Sequence, residues 1–256
     1  MTGSVINKRV DHLRAASVGE KLVSVVRATT ISRVQVQLLG RWRLRIDGDD
    51  IDRVSDGGMK LVAMLALRGS MSRIQVAGML WPETYDESAA GRLRTLLWRF
   101  PRRASVVIDS QGTLALAAGV DVDVDRMRLA ASDLAMGDSR DMDATLFEHD
   151  LLPGLYDDWL AVDRERVRQA RLHALESLSA ARSAQSRFAS ALDAALSAVR
   201  AEPLRESAHR SVIAVHLAEG NVAEAVRQLD ACRDLLKTEL GVSPSPSLVA
   251  LLPVAR

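Results

Sequence analysis

Cysteine is almost absent from this chain. The single thiol among its 256 residues, Cys232, excludes an intramolecular disulfide framework and fits a reducing, cytoplasmic setting. Cys232 lies in an apolar helical stretch, where a small core residue is expected. Aromatic residues make up only 4% of the chain, while alanine, leucine and arginine are abundant, which leans toward helices. No apolar run approaches the roughly 18 residues of a membrane span, so no membrane partner is expected. The apolar cluster from Leu22 to Val26 is too short for a signal sequence, and no small-residue cleavage site follows it. An excess of charge is missing too: 34 basic against 33 acidic residues leave a formal charge of +1, so any nucleic-acid surface has to be local.

Motifs for chemistry are lacking as well. There is no nucleophile elbow, phosphate loop, paired-cysteine site or HExxH. The acidic run Asp47 to Asp52 lacks the glutamate that closes a calcium loop and reads as a solvated turn. Asp157 and Asp158 are adjacent on a helix start, where they suit the helix dipole and do not face each other. His173, His209 and His216 fall on separate helices without metal-ligand spacing, and are expected as surface or half-buried residues. No enzyme, cofactor or metal site is expected.

The most informative stretch is Ser88 to Arg103, SAAGRLRTLLWRFPRR. Wound as a helix, it gathers Ala89, Leu93, Leu96, Leu97 and Phe100 on one face. Arg92 and Arg99 flank that face on one side and Arg94 on the other. Gly91, Thr95, Trp98 and Arg102 point away from it, and no acid lies between Ser88 and Arg103. Such a helix can pack on a core while entering the groove of a polyanion.

The flanking sequence gives this helix a context. Residues 1–32 are weakly periodic and basic, and read as a poorly ordered arm. Arg33 to Ile46, RVQVQLLGRWRLRI, alternates twice about Gly40 and reads as strand, turn, strand. Met59 to Leu67 forms a short apolar helix ending before Gly69. Ser72 with Gln75 makes a capping box for a second helix, which Pro82 stops; Thr84 with Glu87 makes another, opening the basic helix. Pro101 ends that helix or kinks it near Phe100. Ser105 to Asp109 and Thr113 to Ala117 then form a hairpin about Ser110, Gln111 and Gly112. The order strand, strand, three helices, hairpin is that of a winged helix, with the hairpin as wing.

From Asp121 the character changes. A helix follows the acidic boundary, Thr145 to Phe147 is helical, Leu151 to Tyr156 is a turn, and a long amphipathic helix runs to about Ala181. An internal repeat comes next: Phe188 aligns with Val222, Ala191 with Ala225, Leu192 with Val226 and Ala198 with Cys232, all at an offset of 34, the tetratricopeptide period. Pro203 and the pair Gly220, Asn221 supply the turns. The expected architecture is mostly α with a small β component: an arm (1–32), a response-regulator-type winged helix (33–120) and a tetratricopeptide-like all-helical domain (121–256).

This chain resembles the antibiotic regulatory proteins of actinomycetes and their relatives with a bacterial transcriptional activator domain. The likeness is carried by QLLGRWRLRIDG at 37–48, MLWP at 79–82 and AAGRLRTLLWRF at 89–100. In the second half it is carried by LLPGLYDDWLAVDRERVR at 151–168, EPLRESAHR at 202–210 and HLAEGNVAEAVRQLDACRDLLKTELGVSPSPS at 216–247. The resemblance implies a transcriptional activator. Its protomers bind double-stranded DNA side by side on direct repeats and contact RNA polymerase. Its third winged-helix helix, Glu87 to Phe100 here, lies in the major groove. No receiver domain is expected before the winged helix and no nucleotide-binding or sensor module after residue 256, so phosphorylation control through a receiver is not expected.

On that reading Arg92, Arg94, Thr95, Trp98 and Arg99 face the groove. An arginine can pair bidentately with guanine, and Thr95 meets a thymine methyl or a phosphate. Trp98 either packs sideways on the wing or lies against the DNA backbone. Arg102, Arg103 and Arg73 contact phosphates. Two departures from the family pattern favour an alternative, a non-DNA-binding adaptor: Gly57 and Gly58 in the first helix, and a wing with no basic residue between Val106 and Ala117.

Overall fold

The computed structural model describes residues 32–100, 105–139 and 142–252. The expected arm, apart from Ser32, and Arg102 and Arg103 lie outside the described residues.

Strands β1 (Val34–Gln37) and β2 (Arg43–Ile46) pair antiparallel, Val34 opposite Ile46 and Val36 opposite Leu44. Those four side chains are buried, and the alternating Gln35, Gln37, Arg43 and Arg45 stay on the wetter face, as a period of two requires. Asp47 and Gly48, both at positive φ, turn the chain into β3 (Asp49–Asp50), so the acidic run holds a strand and not only the expected turn.

Helix α1 (Asp56–Arg68) is capped by Ser55, whose hydroxyl accepts from the Gly58 amide. Short strand β4 (Met71–Ser72) leads into α2 (Arg73–Leu80), where the expected Ser72–Gln75 capping box is formed in both directions. Helix α3 (Asp86–Arg99) departs from expectation at its start. Its N-cap is Tyr85, with no side-chain cap, and the Thr84–Glu87 box is absent; the Thr84 hydroxyl accepts from Arg92 instead. Asp86 and Glu87 in the first turn complement the dipole in place of the cap. The helix ends at Arg99, and Phe100 turns extended, the conformation imposed on a residue before proline.

The wing is β5 (Val107–Ser110) and β6 (Thr113–Leu116), joined through Gln111 and Gly112, both at positive φ. It is shorter than the alternation suggested. Its β6 also pairs with β4, which ties the wing to the start of α2. The fold is a winged helix, as the order of elements implied.

Asp121–Val122, the start of the second half in sequence, forms β7 and pairs parallel with β1, giving the order β3-β2-β1-β7. Helix α4 (Asp123–Ala135) follows at once. Both oxygens of the buried Asp123 carboxylate accept from the Leu38 and Leu39 amides, satisfying the end of β1. After 3-10 turns at Ala144–Phe147 and Asp158–Leu160 come α5 (Ala161–Ala184), α6 (Phe188–Ala201), α7 (Glu206–Glu219) and α8 (Val222–Leu240), each packed on the one before, with α9 (Pro246–Val249) closing the end.

Ala191, Ala198, Ala225 and Cys232 are all fully buried between these helices, so the repeat read from spacing is the packing seam of the stack. Small residues there let paired helices approach. Gly220 takes the left-handed conformation that ends α7. His209 corrects an expectation: it is buried, its ring nitrogens against Pro203 O (2.8 Å) and Gln228 Nε2 (2.7 Å). The spacing of apolar residues could not show that the turn before α7 and the face of α8 both need a polar partner there.

The hydrophobic core is continuous across both halves, running from Val34 in β1 through Leu93 in α3 to Ala208 in α7. A smaller cluster between α7, α8 and α9 contains Ile213, Leu229 and Leu248.

Candidate nucleic-acid interface

Helix α3 is held by its apolar face. Ala89 and Leu93 are buried, and Leu96, Leu97 and Phe100 pack against the same core. Burying one leucine contributes about 2 kcal/mol. Gly57 and Gly58 in α1 explain themselves here. A Cβ on Gly57 would stand 3.4 Å from Leu96 Cδ1, and one on Gly58 would stand 3.0 Å from Val54 and 3.4 Å from Phe100. The two glycines let α1 and α3 approach closely.

The opposite face of α3 is open. Arg92, Arg94, Thr95, Trp98 and Arg99 are all exposed, and none is covered by the helical stack. Arg94 and Arg99 make no ion pair among the described residues, and Arg92 has only the Thr84 hydroxyl at 3.3 Å. The Thr95 hydroxyl donates to Gly91 O at 3.1 Å, so its hydrogen is used within the helix. Trp98 is 70% exposed and stands outside the core. The residues the sequence placed on one outward surface are therefore brought together.

Arg73 is diverted. Its guanidinium pairs with Asp109 of β5, and its amide donates to Gly112 O, so it fastens α2 to the wing. No local pattern announces this pair, because the two residues meet only through the tertiary pairing of β4 with β6. Arg53, which the sequence did not single out, stands beside α3. It lies in coil, where no periodicity marks it, and lines a cleft shared with Arg92 and Arg99.

Among the described residues, no group of three or more histidine, cysteine or acidic side chains is set to hold a metal ion. No helix in them is long and apolar enough to cross a membrane.

A winged helix with an open, arginine-bearing third helix, fused through a shared core to a tetratricopeptide-like stack, defines a transcription-regulator class of protein. The family model for the bacterial transcriptional activator domain matches residues 124–252, half of the chain, and the chain belongs to that family. That match bears out the likeness to the actinomycete antibiotic regulatory proteins and their relatives with this domain. Among solved structures, the chain is similar to Mycobacterium tuberculosis EmbR in complex with a low-affinity phosphopeptide. The match has a TM-score of 0.66 and 18% identity, over 88% of this chain and 67% of that one. At this identity the likeness is one of fold. No curated protein matches the sequence significantly.

Proposed function

We propose that this regulator binds double-stranded DNA through α3, with Arg92, Arg94, Thr95, Trp98 and Arg99 toward the major groove. Protomers lie side by side on direct repeats upstream of a promoter, and the helical stack contacts RNA polymerase in the cytoplasm. One observation carries the reading. The exposed face of α3 presents guanidiniums with no carboxylate partner among the described residues, where most other arginines make an ion pair or hydrogen bond. Unpaired arginines on a rigid helix are what base edges and phosphates require. Arg102 and Arg103, directly after the helix in sequence, extend the basic run toward phosphates, and Arg73 supports the site by holding the wing.

The experiment is a gel shift on host genomic fragments, followed by a salt titration on a selected fragment. An Arg94→Ala variant should bind more weakly, by about 1–3 kcal/mol if it reads a base. An Arg102→Ala variant should lower the salt slope by about 0.9. The adaptor alternative has its own observation: Arg73 is held by Asp109 of the wing, so among the described residues it is not a free cation for phosphate. A salt-independent shift, or none, with retained binding to a protein partner would favour it.

A further inference from the structure

A cleft of about 830 Å³ opens between the N-terminal end of α1 and one flank of α3. Three guanidiniums line it: Arg92 and Arg99 from α3, and Arg53 from the coil two residues before the α1 cap. All three are exposed, and none has a carboxylate partner among the described residues. Lys60 lines the cleft too, but its ammonium is shared by Asp56 at 3.1 Å and Asp157 at 2.9 Å. Asp56 is the one acid on the lining, and it is the residue Lys60 neutralises. The cleft therefore carries uncompensated positive charge along the same flank of α3 as Arg92 and Arg99.

We infer that Arg53 is a DNA-backbone contact and that this cleft seats the phosphate strand bordering the groove that α3 enters. The inference rests on the DNA-binding reading and adds a contact outside the winged helix's third helix. Two features favour a passing strand over a small enclosed anion. The guanidiniums sit at an open rim and none is buried, as an enclosed ion's ligands would be. Gly57 and Gly91 also line the cleft and present bare backbone, so a sugar-phosphate chain can come close to both helices. Arg53 fixes register without reading sequence.

The test is anisotropy of a labelled mixed-sequence DNA duplex over about 50–200 mM salt, with the full chain. Arg53→Ala and Arg53→Gln should each lower the slope of log K against log salt by about 0.9 and weaken binding several-fold, while Arg53→Lys keeps the slope. Arg233→Ala, on α8, serves as the control that leaves binding unchanged. Circular dichroism checks that each variant is folded, and Arg53 makes no contact whose loss would unfold it.

An unchanged slope in Arg53→Ala overturns the inference. If Arg92→Ala/Arg99→Ala weakens binding while Arg53→Ala does not, only the Arg53 assignment fails. If neither weakens it, or the parent does not bind, the DNA reading fails with it. Competition by free AMP against the duplex in the parent, lost in Arg53→Ala, would make the cleft a mononucleotide site and overturn the inference as well.

Discussion

Arg68, in the last turn of α1, donates from Nε to Oδ2 of the buried Asp163 on α5 at 2.9 Å. The same guanidinium donates to Trp159 O and lies over the Trp159 ring at 5.9 Å. One side chain from the winged helix thus satisfies a buried carboxylate and a carbonyl of the helical half. Without Arg68 the buried Asp163 keeps only the exposed Arg166, at 3.8 Å, as a counter-charge. Arg68→Met should therefore cost about 3 kcal/mol in urea unfolding, the low end for such pairs because Arg68 itself is part exposed. The two halves should still unfold in one transition, since their core is shared. A midpoint equal to the parent's would show that Asp163 finds another cation.

Lys60 makes a second tie, from α1 to Asp157 at the foot of α5, and it sets a pH dependence. Burial pulls its pKa down, but hydrogen bonds and charge from Asp157 and Asp56 outweigh burial, so it stands above 10.5. A lysine raised on folding binds its proton more tightly in the native state. Its contribution is therefore fully present below the unfolded value near 10.4 and is lost as pH rises through the folded value. Lys60→Met should be less stable than the parent at pH near 8, and the gap should close at a pH above the raised lysine pKa. Paired urea melts at the two pH values measure this, and a constant gap would mean that the ammonium's charge contributes nothing.

Helix α3 should separate stability from binding along its two faces. Leu93 is 1% exposed, so Leu93→Ala removes transfer energy and leaves a cavity, costing about 2–5 kcal/mol. Trp98 is 70% exposed, so Trp98→Ala should move the urea midpoint little and weaken binding to a selected DNA fragment. A Trp98→Ala variant that unfolds early would mean the indole packs on the protein and not on DNA.

Much of this arrangement was legible in the sequence because it is periodic. The alternation of Val34, Val36, Leu44 and Ile46, the helical spacing of Ala89, Leu93 and Phe100, and the offset of 34 between Ala191 and Ala225 each follow from one element's own geometry. What was not legible depends on partners far apart in the chain. The parallel pairing of β7 on β1 joins residues 86 positions apart, Gln35 with Asp121 and Val36 with Val122, and no local pattern announces it. Arg73 read as a free cation because its acid, Asp109, arrives from the wing. His209 read as peripheral because burial of a polar ring depends on Pro203 and Gln228, supplied by the preceding turn and the next helix. The Thr84–Glu87 box failed for a local reason: the helix begins one residue later, and a nearby guanidinium took the hydroxyl.

Gly91 gives the sharpest separation of fold from function. It sits inside α3, between Ala90 and Arg92, where alanine is the better helix former by about 1 kcal/mol. Its φ is not left-handed, and a Cβ there would meet only Arg94 Nη2, at 4.0 Å. The fold therefore gives no reason for glycine at this position. Gly91→Ala should be the more stable protein, with a melting temperature raised by about 2–4 °C. Yet Gly91 lies on the face opposite Ala89 and Leu93, beside Thr95, and it lines the cleft shared with Arg53. If that face meets the groove, an added methyl holds α3 away from the base edges, and hydrogen bonds of fixed length do not stretch to follow. The variant should melt later and bind its DNA fragment more weakly. A variant that melts later and binds equally well would mean that DNA approaches α3 from another side.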